Sequence, residues 1–78
     1  MAEYIVLLIK DSYKDELENI FKRYRVEYQV LTGYAFPNYK FESDEKDNSP
    51  FFEELWDLCE KKYAIDIIQR YGAMRVDD

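Results

Sequence analysis

The feature that most constrains the fold is an unbroken apolar run near the start of the chain, Tyr4 to Ile9, which reads YIVLLI. Its length is typical of a strand, and polar residues follow it at once. A strand that is apolar on both faces is usually found near the centre of a sheet, where both faces are covered. We therefore expect this run to form the central strand around which the rest of the chain packs.

A helical pattern follows this strand. Ser12 and Asp15 have the spacing of a capping box, and apolar residues then recur every three to four positions. This periodicity predicts an amphipathic helix with a single apolar stripe. The stripe consists of Tyr13, Leu17, Ile20, Phe21 and Tyr24.

A hairpin is predicted after the first helix, because the pattern changes to a period of two. The alternation begins at Val26 and is expected to run to Phe36. The dipeptide Pro37-Asn38 is a turn signal, and the return strand is expected to begin at Tyr39.

Ser49 and Pro50 then have the pattern of a helix N-cap followed by proline in the first helical position. The helix is expected to end near Tyr63, with Cys59 as a small buried hydrophobic residue. Its predicted core face consists of Phe52, Leu55, Trp56, Cys59 and Tyr63.

The apolar phase shifts after Tyr63, which favours a final strand from about Ile65 to Arg70. A longer helix that ends at Gly72 is the alternative. The predicted order of strand, helix, strand, strand, helix, strand within residues 1–78 indicates one α+β domain. It matches the ferredoxin-like split βαβ arrangement, a four-stranded antiparallel sheet with both helices on one face. Since the other face is uncovered, a homodimer through the sheet is expected.

Composition excludes several classes of function. The 78 residues include no histidine and one cysteine, so a Ser/His/Asp triad, a zinc finger and a histidine-ligated metal are excluded. We expect no enzymatic activity, cofactor or metal. No apolar run approaches the roughly 18 residues of a membrane span, and residues 1–10 lack the pattern of a secretory signal. A cytoplasmic protein is therefore expected.

The negative charge is concentrated in one window of the sequence. The formal net charge is −6, yet residues 42–60 alone carry −7, and the rest of the chain is close to neutral. A solubilising surface does not require this asymmetry. The predicted partner-binding residues are the acidic side chains of the window and one neighbouring tyrosine. They are Glu42, Asp44, Glu45, Asp47, Glu53, Glu54, Asp57, Glu60 and Tyr39.

These residues predict a non-catalytic binding module or small inhibitor whose acidic face docks on a basic, nucleic-acid-binding surface of a partner protein. In type, though not in sequence, the chain resembles phage inhibitors of restriction and CRISPR machinery, which are likewise small, acidic and rich in aromatic residues. The alternative is an oligomeric ferredoxin-like regulatory or small-molecule sensor domain. The net acidity argues against direct binding of nucleic acid.

A second alternative is based on the segment from Gly33 to Tyr39, GYAFPNY, which resembles the aromatic consensus strand of RNA-recognition motifs. The resemblance implies that Tyr34 or Phe36, together with Tyr4, stacks on unpaired bases from the two central strands. It requires these rings to lie on the open face of the sheet.

Overall fold

The computed structural model describes residues 2–43 and 49–70. Within these residues the chain forms four strands and two α-helices, in the order β-α-β-β-α-β. They are β1 (Ala2–Leu8), α1 (Lys14–Arg23), β2 (Gln29–Leu31), β3 (Asn38–Ser43), α2 (Pro50–Trp56) and β4 (Ile65–Arg70).

The strands form one antiparallel sheet in the order β2-β3-β1-β4. The apolar run therefore lies in the interior of the sheet, with β3 on one side and β4 on the other. This is the ferredoxin-like α+β arrangement predicted from the sequence. The final strand Ile65–Arg70 is also confirmed, and the alternative of a longer second helix is wrong.

Alternate residues of β1 point to opposite sides of the sheet. Tyr4, Val6 and Leu8 are buried beneath the helices, whereas Ile5 and Leu7 lie half-buried on the other face. On the helix-covered side the register pairs Tyr4 with Phe41 and Val6 with Tyr39. The helices thus pack over the even-numbered residues of β1, and the odd-numbered residues form an open sheet face.

Phe21 of α1 is at the centre of an aromatic core. It is fully buried, and its ring centroid lies 4.7 Å from that of Tyr28, 5.3 Å from Phe41 and 5.9 Å from Phe51. Such ring pairs add about 0.5–1.5 kcal/mol each beyond the area they bury. The predicted apolar stripe of α1 is confirmed, with Tyr24 partly buried at its end.

The start of α1 differs from the prediction. A 3-10 turn at Asp11–Tyr13 leads into the helix, and no side chain caps it, so the capping box predicted from Ser12 and Asp15 is not formed. The start of α2 agrees with the prediction, because the Ser49 hydroxyl accepts a hydrogen bond of 3.3 Å from the backbone N–H of Phe52.

The predicted core face of α2 is rotated from the observed one. The α-helix ends at Trp56 in a π-helical turn, Asp57–Lys61, and Tyr63 is 71% exposed with a positive φ. Trp56 and Cys59 are only partly buried. The rings of Phe51 and Phe52, at the start of α2, both point into the core, and this sets the rotation of the helix about its axis. The buried residues are Phe51, Phe52, Leu55 and Leu58.

The hairpin is shorter than predicted. Only three residues of the expected strand 26–36 pair with β3, and residues 33–36 form bends around Gly33, whose φ is +92°. Asn38 begins β3 instead of forming a turn with Pro37. The glycine accepts this left-handed φ without strain, which allows the chain to reverse before Pro37.

Candidate acidic interface

Three of the predicted acidic residues lie together on the outer side of the second helical segment. Glu53 and Glu60 are exposed, and the Asp57 side chain is 44% exposed. Glu53 lies about 100° around the α-helix from the buried Phe52, and Asp57 and Glu60 follow it in the π-helical turn. We call Glu53, Asp57 and Glu60 the acidic helix face.

A groove of about 330 Å³ separates α2 from α1 beside this face. Four carboxylates line it, and its other walls come from both helices. The lining residues are Glu16, Ile20, Tyr24, Pro50, Glu53, Glu54 and Asp57. The groove thus extends the acidic helix face to α1.

Glu54 has partners inside the molecule. Its two carboxylate oxygens each lie 2.6 Å from a guanidinium nitrogen of Arg23, and the Tyr24 hydroxyl donates a short hydrogen bond to it. The hydrogen bond from Tyr24, together with Arg23, lowers the pKa of Glu54 below its usual range. The same bond raises the pKa of Tyr24. Glu54 therefore joins α1 to α2, and a role in partner binding stays a prediction.

The other carboxylates of the groove have weaker ion pairs with cationic side chains, or none among the described residues. Asp57 lies 3.6 Å from Lys61, an exposed pair that stabilises the helix only weakly. Within residues 2–43 and 49–70, Glu16 and Glu53 form no ion pair. Glu16 lies outside the acidic window of the sequence. Only the packing of α1 beside α2 shows that it belongs to the same surface.

Glu42, another predicted acidic residue, is not continuous with this face. Glu42 is exposed on β3 and pairs in register with Glu3, on the open sheet face opposite the helices. Asp44, Glu45 and Asp47 lie outside the described residues. Because strand residues alternate between faces, Glu42 lies on the side of the sheet opposite Phe41 and the helices.

Tyr39 was predicted to be a partner-binding residue, and this prediction is wrong because its side chain is fully buried. Its hydroxyl reaches the edge of the core and donates a hydrogen bond of 3.0 Å to Glu18. Glu18 also lies 2.9 Å from Lys14, and this contact with Lys14 is the main cause that lowers its pKa. Tyr39 is thus a core residue with a satisfied polar end.

We expect Tyr39 to ionise only at high pH. Burial, with the bond to Glu18, raises its pKa well above the usual value of about 10. Because the folded-state pKa is the higher one, this stabilisation is complete below about pH 10 and is lost as the pH rises. Ultraviolet phenolate absorbance should show a step at high pH coincident with unfolding, and Tyr39→Phe should reduce the amplitude of this step while costing about 1 kcal/mol. A step of unchanged amplitude in this variant would contradict the assignment.

The stacking arrangement implied by the resemblance to RNA-recognition motifs is not formed. Tyr4 lies under the helices, where its ring stacks on Phe41 at 5.1 Å, so it is absent from the open face. Tyr34 and Phe36 are 63% and 43% exposed, but they lie in the bends before β3. The open face of the two central strands carries aliphatic, polar and charged residues instead. They are Glu3, Ile5 and Leu7 of β1 and Asn38, Lys40 and Glu42 of β3.

The predicted homodimer through the sheet remains a prediction, and its surface is now defined. Ile5, Leu7 and Ile68 lie on the open face, with Ile68 44% exposed. Lys40 crosses this face to Glu3 at 3.3 Å. A second copy would therefore meet an aliphatic strip beside an ion pair.

Other classes of site have little support in the described part of the chain. No group of three or more Cys, Asp or Glu side chains is placed to hold a metal ion there. Cys59 is partly buried, and burial raises the pKa of its thiol, which makes it a poor nucleophile near neutral pH. Within the same residues, no helix has both the length and the apolar character needed to cross a membrane. Comparison with protein-family models and with curated proteins finds no match to this sequence.

Proposed function

We propose that this chain is a non-catalytic protein-binding module whose acidic helix face docks on a basic, nucleic-acid-binding surface of a partner, as a small inhibitor does. The observation that carries the proposal is the groove between α1 and α2, in which Glu16 and Glu53 have no cationic partner among the described residues. A cytoplasmic location belongs to the same proposal, since it would give the chain access to a nucleic-acid-binding partner.

Electrostatic complementarity is the physical basis of this function. A protein that binds nucleic acid holds lysine and arginine side chains in positions that suit phosphates. Carboxylates on a ridge beside a groove can occupy such positions, and they accelerate encounter as well as selecting the partner. Glu54 is already neutralised by Arg23, so we assign it to positioning α2.

Neutralising the acidic helix face should weaken capture of such a partner. We expect Glu53→Gln, Asp57→Asn and Glu60→Gln together to weaken binding by about tenfold or more, because each exposed charge pair contributes up to about 1 kcal/mol. The measurement is affinity capture with the whole chain as bait, at low and at high salt and with duplex DNA as competitor. The captured protein should be released by salt and by DNA.

The matched control carries the same change of charge elsewhere. Asp11, Asp15 and Asp66 are exposed and lie outside the groove, and their replacement by asparagine should leave capture unchanged. Equal loss in both triple variants would indicate a response to net charge alone, and capture that resists both salt and DNA would contradict the proposal.

A further inference from the structure

Strands β2 and β3 separate at one end of the hairpin and leave a groove of about 700 Å³. Their pairing covers only Gln29 to Leu31, opposite Lys40 to Asn38. Residues 24–28 line one wall of the groove, and residues 41–43 line the other. Its volume lies within the roughly 300–1,000 Å³ of ligand-binding clefts.

Charge disfavours continued pairing of β2 with β3 beyond Gln29. If the register continued, Glu27 would lie directly opposite Glu42. Like charges in that position destabilise a strand pair. Both residues are exposed, and neither forms an ion pair among the described residues. Arg25 then has a φ of +57°, outside the strand region.

The backbone of β3 presents the Glu42 peptide group to this groove. The N–H of Leu8 donates to the carbonyl of Pro37 at 3.0 Å, which fixes the alternation of hydrogen bonds along β3. Tyr39 and Phe41 therefore direct their N–H and C=O groups towards β1, and Lys40 and Glu42 direct theirs towards β2. Since β2 begins at Gln29, Glu42 has no strand partner on that side within residues 2–43 and 49–70.

The two sides of the groove differ in chemistry. On the helix side Phe41 is buried, and Val26 and Tyr28 are partly buried against the core. Glu42 lies on the open sheet side, and Glu27 would share that side in the continued register. Side chains alternate along an extended peptide. A peptide residue paired with Glu42 would therefore face the two carboxylates on the open sheet side, and its two neighbours would face the apolar residues on the helix side.

We propose that this groove binds an extended segment of a partner protein by strand addition to β3, with a lysine or arginine between Glu27 and Glu42 and apolar residues on either side. Backbone hydrogen bonds to Glu42 align the segment, and the carboxylates select its charge. The site is at the hairpin, apart from the acidic helix face, and it does not depend on the function proposed above.

The test uses the synthetic peptide acetyl-Thr-Val-Arg-Val-Thr-amide, titrated to about 2 mM to cover weak binding. We expect saturable NMR shifts of the Phe41 and Glu42 amides, and slower hydrogen exchange at Glu42. The peptide with glutamate in place of arginine should bind at least fivefold more weakly. Unchanged shifts over residues 40–43, or equal affinity for both peptides, overturn the proposal. Shifts that depend on protein concentration without peptide would assign the groove to a second copy and also overturn it.

A variant that closes the groove provides an independent test. Glu27→Lys places opposite charges across the hairpin, so β2 should extend, the Glu42 amide should become protected without peptide, and affinity should fall at least fivefold. Asp15→Lys, an equal change of charge on exposed α1, should bind the peptide as the parent does. If Glu27→Lys protects the Glu42 amide and binding stays within twofold, the groove is not the site. If that amide stays unprotected while Glu27→Lys and Asp15→Lys bind alike, the carboxylates do not select the peptide, and the proposal is also overturned.

Discussion

Replacing Phe21 with alanine should remove most of the stability of this domain. The ring is fully buried and contacts aromatic rings from the segment before β2, from β3 and from α2, so its loss opens a cavity where these parts of the chain meet α1. Truncation of a buried phenylalanine costs about 3–5 kcal/mol. A chain of 78 residues has a total stability of about 4–12 kcal/mol.

Thermal unfolding followed by circular dichroism would measure this effect. A domain of this size loses about 4–8 °C of melting temperature per kcal/mol, so the Phe21→Ala midpoint should fall by at least about 12 °C. Phe36→Ala is the control, because it removes the same ring from a side chain that is 43% exposed. Similar midpoints for the two variants would show that the aromatic cluster does not hold the elements together.

The second large effect concerns the rotation of α2. Phe52 is fully buried, and its ring lies 5.0 Å from that of Tyr4, whereas Trp56 is only partly buried. We expect Phe52→Ala to cost about 3–5 kcal/mol and Trp56→Ala less than about 2 kcal/mol, although tryptophan is the larger residue.

Chemical denaturation of both variants would decide this order, with Glu53→Ala as the exposed control on the same helix. The Glu53→Ala substitution should change the free energy of unfolding by no more than about 0.5 kcal/mol. A larger loss for Trp56→Ala than for Phe52→Ala would mean that the helix presents the face predicted from the sequence, with Trp56, Cys59 and Tyr63 turned inward. The position of the acidic helix face would then change with it.

Local signals in the sequence were sufficient for most of the fold. The apolar run predicts β1, Ser49 and Pro50 predict the start of α2, and the phase shift after Tyr63 predicts β4. These features act over a few residues, through strand periodicity, capping and helical spacing. The errors in the hairpin and in the rotation of α2 fall where contacts distant in sequence contribute to the outcome. Pairing of the hairpin stops before Glu27 would lie opposite Glu42, fifteen positions away in the sequence, and no pattern within the strand indicates that pairing.

The sequence by itself determined the order of the elements, the antiparallel α+β class and the concentration of negative charge in one window. Only the tertiary structure decided which carboxylates share a surface. Glu16 lines the acidic groove because α1 packs beside α2. Glu42 lies on the opposite side of the sheet because strand residues alternate between faces. Tyr39 is buried in the core because it pairs with Val6 on the helix-covered face. The physical reason is that charge and hydropathy are properties of each residue, whereas a surface depends on the orientation of packed elements.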